Sequence, residues 1–106
     1  MSLGRVSVPG KAKKGEVIEV RILIRHPMET GFRFDDNGSP IPKNVVREVV
    51  CRYNGAEICR CELGSGIAAN PYLQVHARAE ASGSIEVEWV DDAGERGSAR
   101  AAIVVE

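Results

Sequence analysis

Cysteine is the residue type with the most direct chemical potential in this sequence. Cys51, Cys59 and Cys61 are an odd number of thiols, gathered on two neighbouring predicted strands. A two-residue turn between these strands would place Cys51 opposite Ile58, whereas a three-residue turn would place it directly across from Cys59. Cys59 and Cys61 share a strand face but lie too far apart along it for a relaxed disulfide. Packed thiols, a disulfide within or between chains, and a zinc site therefore stay open, in decreasing order of preference.

Neither histidine has a chemical partner nearby in the sequence. His26 ends a predicted strand before Pro27, and His76 lies on the polar face of another strand. Blue-copper sites combine two histidines, a cysteine and a methionine, but Met28 is the last methionine and only His76 follows Cys61. No nucleophile elbow, phosphate-binding loop, zinc-protease helix or haem-attachment motif occurs. These absences argue against hydrolase, nucleotide-binding, haem and copper functions, and no catalytic, cofactor-binding or metal-ligating residue is assigned from the motifs.

Length and composition predict one globular domain spanning residues 1–106. The chain has 106 residues, of which 43% are hydrophobic and 27% charged, and these proportions exclude disorder and collagen-like repeats. A net charge of -1 argues against nucleic acid as the main partner. The apolar stretches, such as those at residues 22–24 and 103–105, are far shorter than the roughly 20 residues of a membrane helix, so no membrane-spanning segment is expected. Residues 1–4 are expected to be disordered or derived from an expression vector, and no secretory signal is recognised.

Charge is distributed unevenly along the chain. Residues 1–52 carry ten basic and six acidic side chains, whereas residues 53–106 carry four and nine. If these charges fold onto different faces, an anionic ligand or a charged partner would have a preferred side.

Alternation of apolar and polar residues dominates the sequence and predicts strands rather than helices. The predicted strands are residues 5–8, 16–26, 45–53, 57–63, 73–79, 85–89 and 98–106. Turn residues separate several of them, notably Asn54-Gly55 and Ser82-Gly83. The predicted fold class is therefore all-β, an immunoglobulin-like β-sandwich of about seven antiparallel strands with Trp89 in its core. A small Greek-key barrel is the alternative.

One connection, residues 27–42, is longer than most loops of a β-sandwich. Long loops in compact domains are usually functional or disordered. Phe32 and Phe34 favour a loop that packs on the domain, because disordered segments are poor in aromatic residues.

Several motifs carry a resemblance to a known family. The hexapeptide HPMETG at residues 26–31 is followed by DNG at 36–38, NG at 54–55 and NPYL at 70–73. In order and spacing these pieces resemble the SoxZ family of the bacterial thiosulfate-oxidising system, from about residue 11 onward. The hexapeptide and NPYL together are a specific signal, whereas the NG dipeptide alone is not.

The resemblance implies a non-catalytic scaffold subunit. Members of the family pair with SoxY, which carries sulfur intermediates on a cysteine in its glycine-rich C-terminal tail, and the pair meets other Sox enzymes transiently. The last residues here, 101–106, lack cysteine and glycine, so we expect this chain not to carry the sulfur. The resemblance also implies a periplasmic location, reached with the signal-bearing partner. It leaves open whether the isolated chain forms homo-oligomers.

The resemblance also suggests which residues contact the partner or its tail. The candidates in the hexapeptide region and in NPYL are His26, Met28, Glu29, Thr30, Arg33, Asn70 and Tyr72. Pro27 and Gly31 are expected to be structural, since proline stops a strand and glycine relieves a strained turn. A second group of interface candidates consists of hydrophobic residues at otherwise polar strand positions, Leu23, Val46, Val50, Val90 and Val104, each of which could instead be a core or edge residue.

Two other interpretations stay open beside the scaffold subunit. The first is a stand-alone small redox or metal-binding β-sandwich that uses the histidines or cysteines. The second is an adhesion-type sandwich with unrelated partners. Turnover or metal binding by the isolated chain would favour the former.

Overall fold

The computed structural model describes residues 3–64, 66–67 and 69–106, and these form eight β-strands. The strands are β1 (Leu3–Ser7), β2 (Lys11–Ala12), β3 (Val17–Arg25), β4 (Val46–Tyr53), β5 (Ala56–Glu62), β6 (Tyr72–Arg78), β7 (Gly83–Asp91) and β8 (Arg96–Val105). All seven predicted strands are present, and the two-residue β2 is additional. Leu3 and Gly4, expected among the disordered residues, instead begin β1, while residues 1 and 2 lie outside the described part.

The strands form two sheets. One has three strands in the order β1-β3-β6, and the other has five in the order β2-β8-β7-β4-β5. Paired strands are antiparallel except for β2, which runs parallel to β8. The predicted all-β sandwich is therefore confirmed, and the two separate sheets do not correspond to the alternative barrel. Within the described ranges there is no helix long and apolar enough to cross a membrane.

Trp89 occupies the centre of the core, as predicted. It is among the largest fully buried side chains, and its indole lies between Gly97 on β8 and Gly4 on β1. A Cβ at Gly4 would come within 2.8 Å of the indole Cζ2, and a Cβ at Gly97 would overlap the indole nitrogen and two ring carbons. The two glycines make room for a ring that reaches from one sheet to the other.

Tyr53, at the end of β4, fixes the turn between β6 and β7. Its hydroxyl donates to the carbonyl of Ala81 and accepts the amide N–H groups of Glu80 and Ala81, each at 3.3 Å. One side chain thereby satisfies three backbone groups that no strand pairs.

Residues 29–44, here called the arm, form a hairpin-like extension between β3 and β4. Bridges join Glu29 to Asn44 and Phe34 to Pro40, and the Oδ1 atom of Asp35 accepts two backbone N–H groups at the tip. Phe32 and Phe34 are 84% and 65% exposed, so the expectation that they pack the loop onto the domain was wrong. Backbone hydrogen bonds, rather than aromatic packing, hold the arm together.

The register between β4 and β5 combines both predicted alternatives. Next to the turn, Arg52 pairs with Glu57, as a two-residue turn requires. A β-bulge then shifts the register by one residue, and Cys51 lies directly across from Cys59. Because opposite residues of a ladder share a face, the bulge brings the thiols together on the core side of β4 and β5.

Candidate functional site

His26 follows the last residue of β3, and its side chain is buried rather than turned toward solvent. Its Nδ1 atom accepts the backbone N–H of Met28 at 3.0 Å, and its Nε2 atom lies 3.0 Å from Oδ2 of Asp91. An amide can only donate, so the ring proton must be on Nε2, which donates to the carboxylate. The ring therefore has a fixed tautomer and orientation.

Asp91, at the end of β7, is the partner that the sequence did not reveal. It is 1% exposed, and its Oδ1 atom accepts the backbone N–H of Glu95 at 2.9 Å. Burial raises the pKa of Asp91, but hydrogen bonds from His26 and from the Glu95 and Ala93 amides outweigh it and hold the pKa below its ordinary value. The carboxylate thus ties the hexapeptide to the β7–β8 turn.

Met28 and Asn70 complete this network around His26. Met28 is buried with a φ of 52°, and its sulfur accepts the N–H of Val46 at 3.2 Å. Asn70 accepts the His26 N–H through Oδ1 at 3.0 Å and donates its own N–H to the His26 carbonyl at 2.8 Å. Asn70 therefore caps the backbone just after the end of β3. Whether His26, Met28 and Asn70 also contact a partner stays a prediction.

The remaining candidates of the hexapeptide region lie on the arm. Arg33 donates to Oε1 of Glu29 at 2.6 Å, and the hydroxyl of Thr30 accepts the N–H of Phe32 at 3.4 Å. The Oε2 atom of Glu29 and the Oδ1 atom of Asn44 are buried without a hydrogen-bond partner. The structural roles of the neighbouring residues are as predicted: β3 stops before Pro27, and Gly31 has a φ of 91°.

The free energy of unfolding at acidic pH should reveal the interaction between Asp91 and His26. Because its pKa is lowered on folding, Asp91 adds stability above its unfolded-state pKa of about 3.9, and this contribution disappears as the pH falls through the lower folded-state value. Urea unfolding of the wild type and of Asp91→Asn checks this. We expect the difference in unfolding free energy to shrink from pH 7 to pH 3, and a constant difference would contradict the assignment.

The three cysteines form a compact cluster of free thiols. Cys51 is buried, Cys59 and Cys61 are half-buried, and the sulfur atoms of the latter two lie 3.4 Å apart. Burial and the neighbouring thiols raise the pKa of Cys51 to about 11. Burial, and then the contact with Cys61, raise the pKa of Cys59 to about 11 as well. Since the thiolate is the nucleophile, Cys51 and Cys59 are poor acceptors of sulfur.

These pKa values predict slow alkylation of the folded chain. A thiol of pKa about 11 has roughly three-hundredfold less thiolate at pH 7 than one of pKa about 8.5. Cys51 and Cys59 should therefore react with iodoacetamide at least about a hundredfold more slowly than free cysteine, as followed by peptide mass spectrometry. The same chain in urea serves as control and should react at the ordinary rate. Equal rates in the folded and unfolded chain would contradict the prediction.

The interface candidates among the hydrophobic strand residues fall into two groups. Val46 lies in the core, whereas Val50 is buried on the outer face of the larger sheet, opposite Arg60 and Glu88. Leu23 and Val104 are exposed, and Val90 is half-buried. Tyr72 is also exposed, and its hydroxyl accepts a hydrogen bond from the side-chain amide of Gln74 at 3.3 Å.

The two sheets present different outer faces. On the five-stranded sheet three arginines pair with glutamates, in the pairs Arg52–Glu88, Arg60–Glu48 and Arg100–Glu86. On the three-stranded sheet the outward positions of β1, β3 and β6 hold four arginines and a single glutamate, namely Arg5, Arg21, Arg25, Arg78 and Glu19. The uneven charge of the sequence therefore becomes a basic face on the smaller sheet.

Metal-binding geometry is not seen in the part of the chain that the structure describes. Among residues 3–64, 66–67 and 69–106, no group of three or more histidine, cysteine or acidic side chains is placed to hold a metal ion. The Nε2 atom of His76 lies 3.9 Å from Oε2 of Glu19, and both residues lie on the outer face of the smaller sheet.

Comparison with known proteins bears on both the family and the fold. The sequence profile of the family described as sulphur oxidation protein SoxZ matches residues 6–102. No curated protein sequence matches the chain.

Solved structures share the fold at low sequence identity. A superoxide reductase (neelaredoxin) from Ignicoccus hospitalis has a TM-score of 0.73 and 19% identity over 99% of this chain and 82% of that chain. The reduced form of the Archaeoglobus fulgidus enzyme of the same name has a TM-score of 0.60 and 16% identity over 94% and 89%. The sulfur carrier protein SoxY from Chlorobium limicola f thiosulfatophilum has a TM-score of 0.65 and 10% identity over 97% and 78%. These similarities establish the fold alone.

Proposed function

The chain belongs to the SoxZ family of sulphur oxidation proteins, and from this membership we propose that it is the non-catalytic subunit that binds SoxY in a sulfur-carrier complex. The complex presents covalently bound sulfur intermediates to the enzymes of thiosulfate oxidation, which it meets transiently. The observation that carries the proposal is the family match, which runs through residues 6–102.

The chemistry of the side chains supports a scaffold rather than a catalyst. His26 has its two ring nitrogens occupied by Met28 and Asp91, so it has no free nitrogen for proton transfer. Cys51 and Cys59 have raised pKa values, and a persulfide acceptor needs thiolate character. We therefore propose that SoxY carries the reactive sulfur and that this chain provides a contact surface.

The shared fold of this chain and SoxY also supports pairing. Two β-sandwiches of similar size offer each other sheet faces of matching dimensions, and a lasting complex needs about 800 Å² of buried surface on each partner. The proposal includes a periplasmic location, which the family resemblance implies.

Purified SoxY mixed with this chain tests the proposal. Size-exclusion chromatography with light scattering should give one species whose mass equals one copy of each chain. An unrelated immunoglobulin-like domain of similar size is the control and should elute separately from SoxY. Two separate peaks for SoxY and this chain, or turnover of thiosulfate by this chain alone, would refute the proposal.

A further inference from the structure

One end of the basic face carries exposed apolar side chains. Leu23 of β3 lies in one row of the sheet between Arg5 of β1 and Tyr72 of β6, and Leu3 lies beside Arg25 in the row that follows. Leu3, Tyr72 and Leu23 are 66%, 52% and 36% exposed. These five residues are here called the apolar–basic patch.

The two arginines of the patch differ from the other arginines of this face. Arg21 is 2.5 Å from Glu19, and Arg78 donates to the carbonyl of Gly15 at 2.9 Å. Arg5 and Arg25 make no ion pair within the described ranges, and both are exposed. The patch therefore combines an unpaired positive rim with an apolar centre, which is the composition of a protein interface rather than of a solvated sheet face.

The charges of the patch determine what can cover it. Burying Arg5 and Arg25 is costly unless the covering surface supplies carboxylates. A second copy of this chain, packed through the same patch about a two-fold axis, would bring four unpaired arginines together instead. The occupant must therefore be a different protein surface, with acidic groups around an apolar centre.

We propose that the apolar–basic patch is the surface on which SoxY docks, through an acidic surface of SoxY with an apolar centre. This inference rests on the proposed pairing with SoxY and specifies where the contact lies. It assigns Tyr72 to the contact together with Leu23, Leu3 and two arginines that the hexapeptide motif does not include.

Paired variants of the two outer faces test this placement. Arg5→Glu reverses a charge of the patch, and its matched control is Arg96→Glu on the larger sheet. Leu23→Thr removes apolar surface from an exposed strand position, and its matched control is Ile58→Thr, which is exposed to a similar degree on β5 of the larger sheet. Affinity for SoxY is measured by calorimetry at low and at physiological salt, after circular dichroism has confirmed that each variant is folded.

We expect Arg5→Glu and Leu23→Thr each to weaken SoxY binding at least about tenfold, and both controls to bind like the wild type. Arg5→Glu should also reduce the loss of affinity on adding salt. If the wild type binds SoxY and the patch variants bind equally well, the placement is wrong while the pairing stands. If the wild type does not bind SoxY, the pairing and the placement both fall.

Discussion

Replacing Asp91 with alanine is expected to lower the free energy of unfolding by about 3 kcal/mol. The change leaves the buried Nε2–H of His26 without its acceptor and also removes the hydrogen bond that Asp91 accepts from the Glu95 amide, because the carboxylate serves both groups. Urea unfolding followed by fluorescence measures the loss, since Trp89 is the only tryptophan and lies in the core.

Asp91→Asn provides the matched control. Its amide oxygen can still accept the histidine proton, so the loss should be about 1 kcal/mol. If Asp91→Ala does not fold, the smaller loss with Asp91→Asn still reports the interaction. Wild-type stability in both variants would show that the pair with His26 does not hold the hexapeptide in place.

Replacing Gly97 with alanine is expected to destabilise the domain by about 2 to 3 kcal/mol. The new Cβ would overlap the indole of Trp89, which cannot move away because Gly4 and the opposite sheet confine its other end. Adding Trp89→Phe should relieve part of the overlap, because the smaller ring leaves space next to residue 97. We therefore expect the double variant to lose less than the sum of the two single losses.

Gly10→Ala is the control for this prediction, since a Cβ at that position meets no atom within 4 Å. Its unfolding free energy should stay within about 0.5 kcal/mol of the wild type. Additive losses for the Gly97 and Trp89 changes would contradict direct packing of the ring on this glycine.

The strands could be predicted from the sequence because each carries its own alternating pattern. In β3, for example, Ile18, Val20, Ile22 and Ile24 are buried, whereas Arg21, Leu23 and Arg25 between and beyond them are exposed. This pattern is local and survives without knowledge of the neighbouring strands. The two-residue β2 has no such pattern, and only its pairing with β8 makes it a strand.

The network around His26 could not be predicted because its partners are distant in the sequence. Asp91 is 65 residues away and begins an ordinary turn sequence, and Asn70 is 44 residues away. The motif therefore drew attention to the correct residues without showing that two of them, His26 and Met28, are buried in the domain.

The exposure of the two aromatic residues of the arm could not be predicted from the sequence either. Phe32 and Phe34 suggested packing by their residue type, but exposure depends on whether another part of the chain lies within reach. The arm extends from the domain, and the whole molecule, arm included, measures 58 Å along its longest axis against 19 and 18 Å along the other two. Such a shape is set by tertiary structure and leaves no periodic signal in the sequence.

The pairing of Cys51 with Cys59 could be predicted from the sequence only as one of two alternatives, because turn length alone did not decide the register. The turn residues fixed the pairing next to the turn, and the bulge changed it after one further pair. A bulge depends on how β5 fits against β4 and the core, which turn chemistry does not specify.

Intact-mass measurement of each subunit tests most directly whether this polypeptide supports sulfur chemistry without taking part in it. This chain and SoxY are mixed and incubated with thiosulfate and the enzymes that oxidise it, and the two chains are then separated under non-reducing conditions and weighed. We predict sulfur adducts on SoxY and an unchanged mass for this chain. An adduct on Cys51, Cys59 or Cys61 would contradict the account.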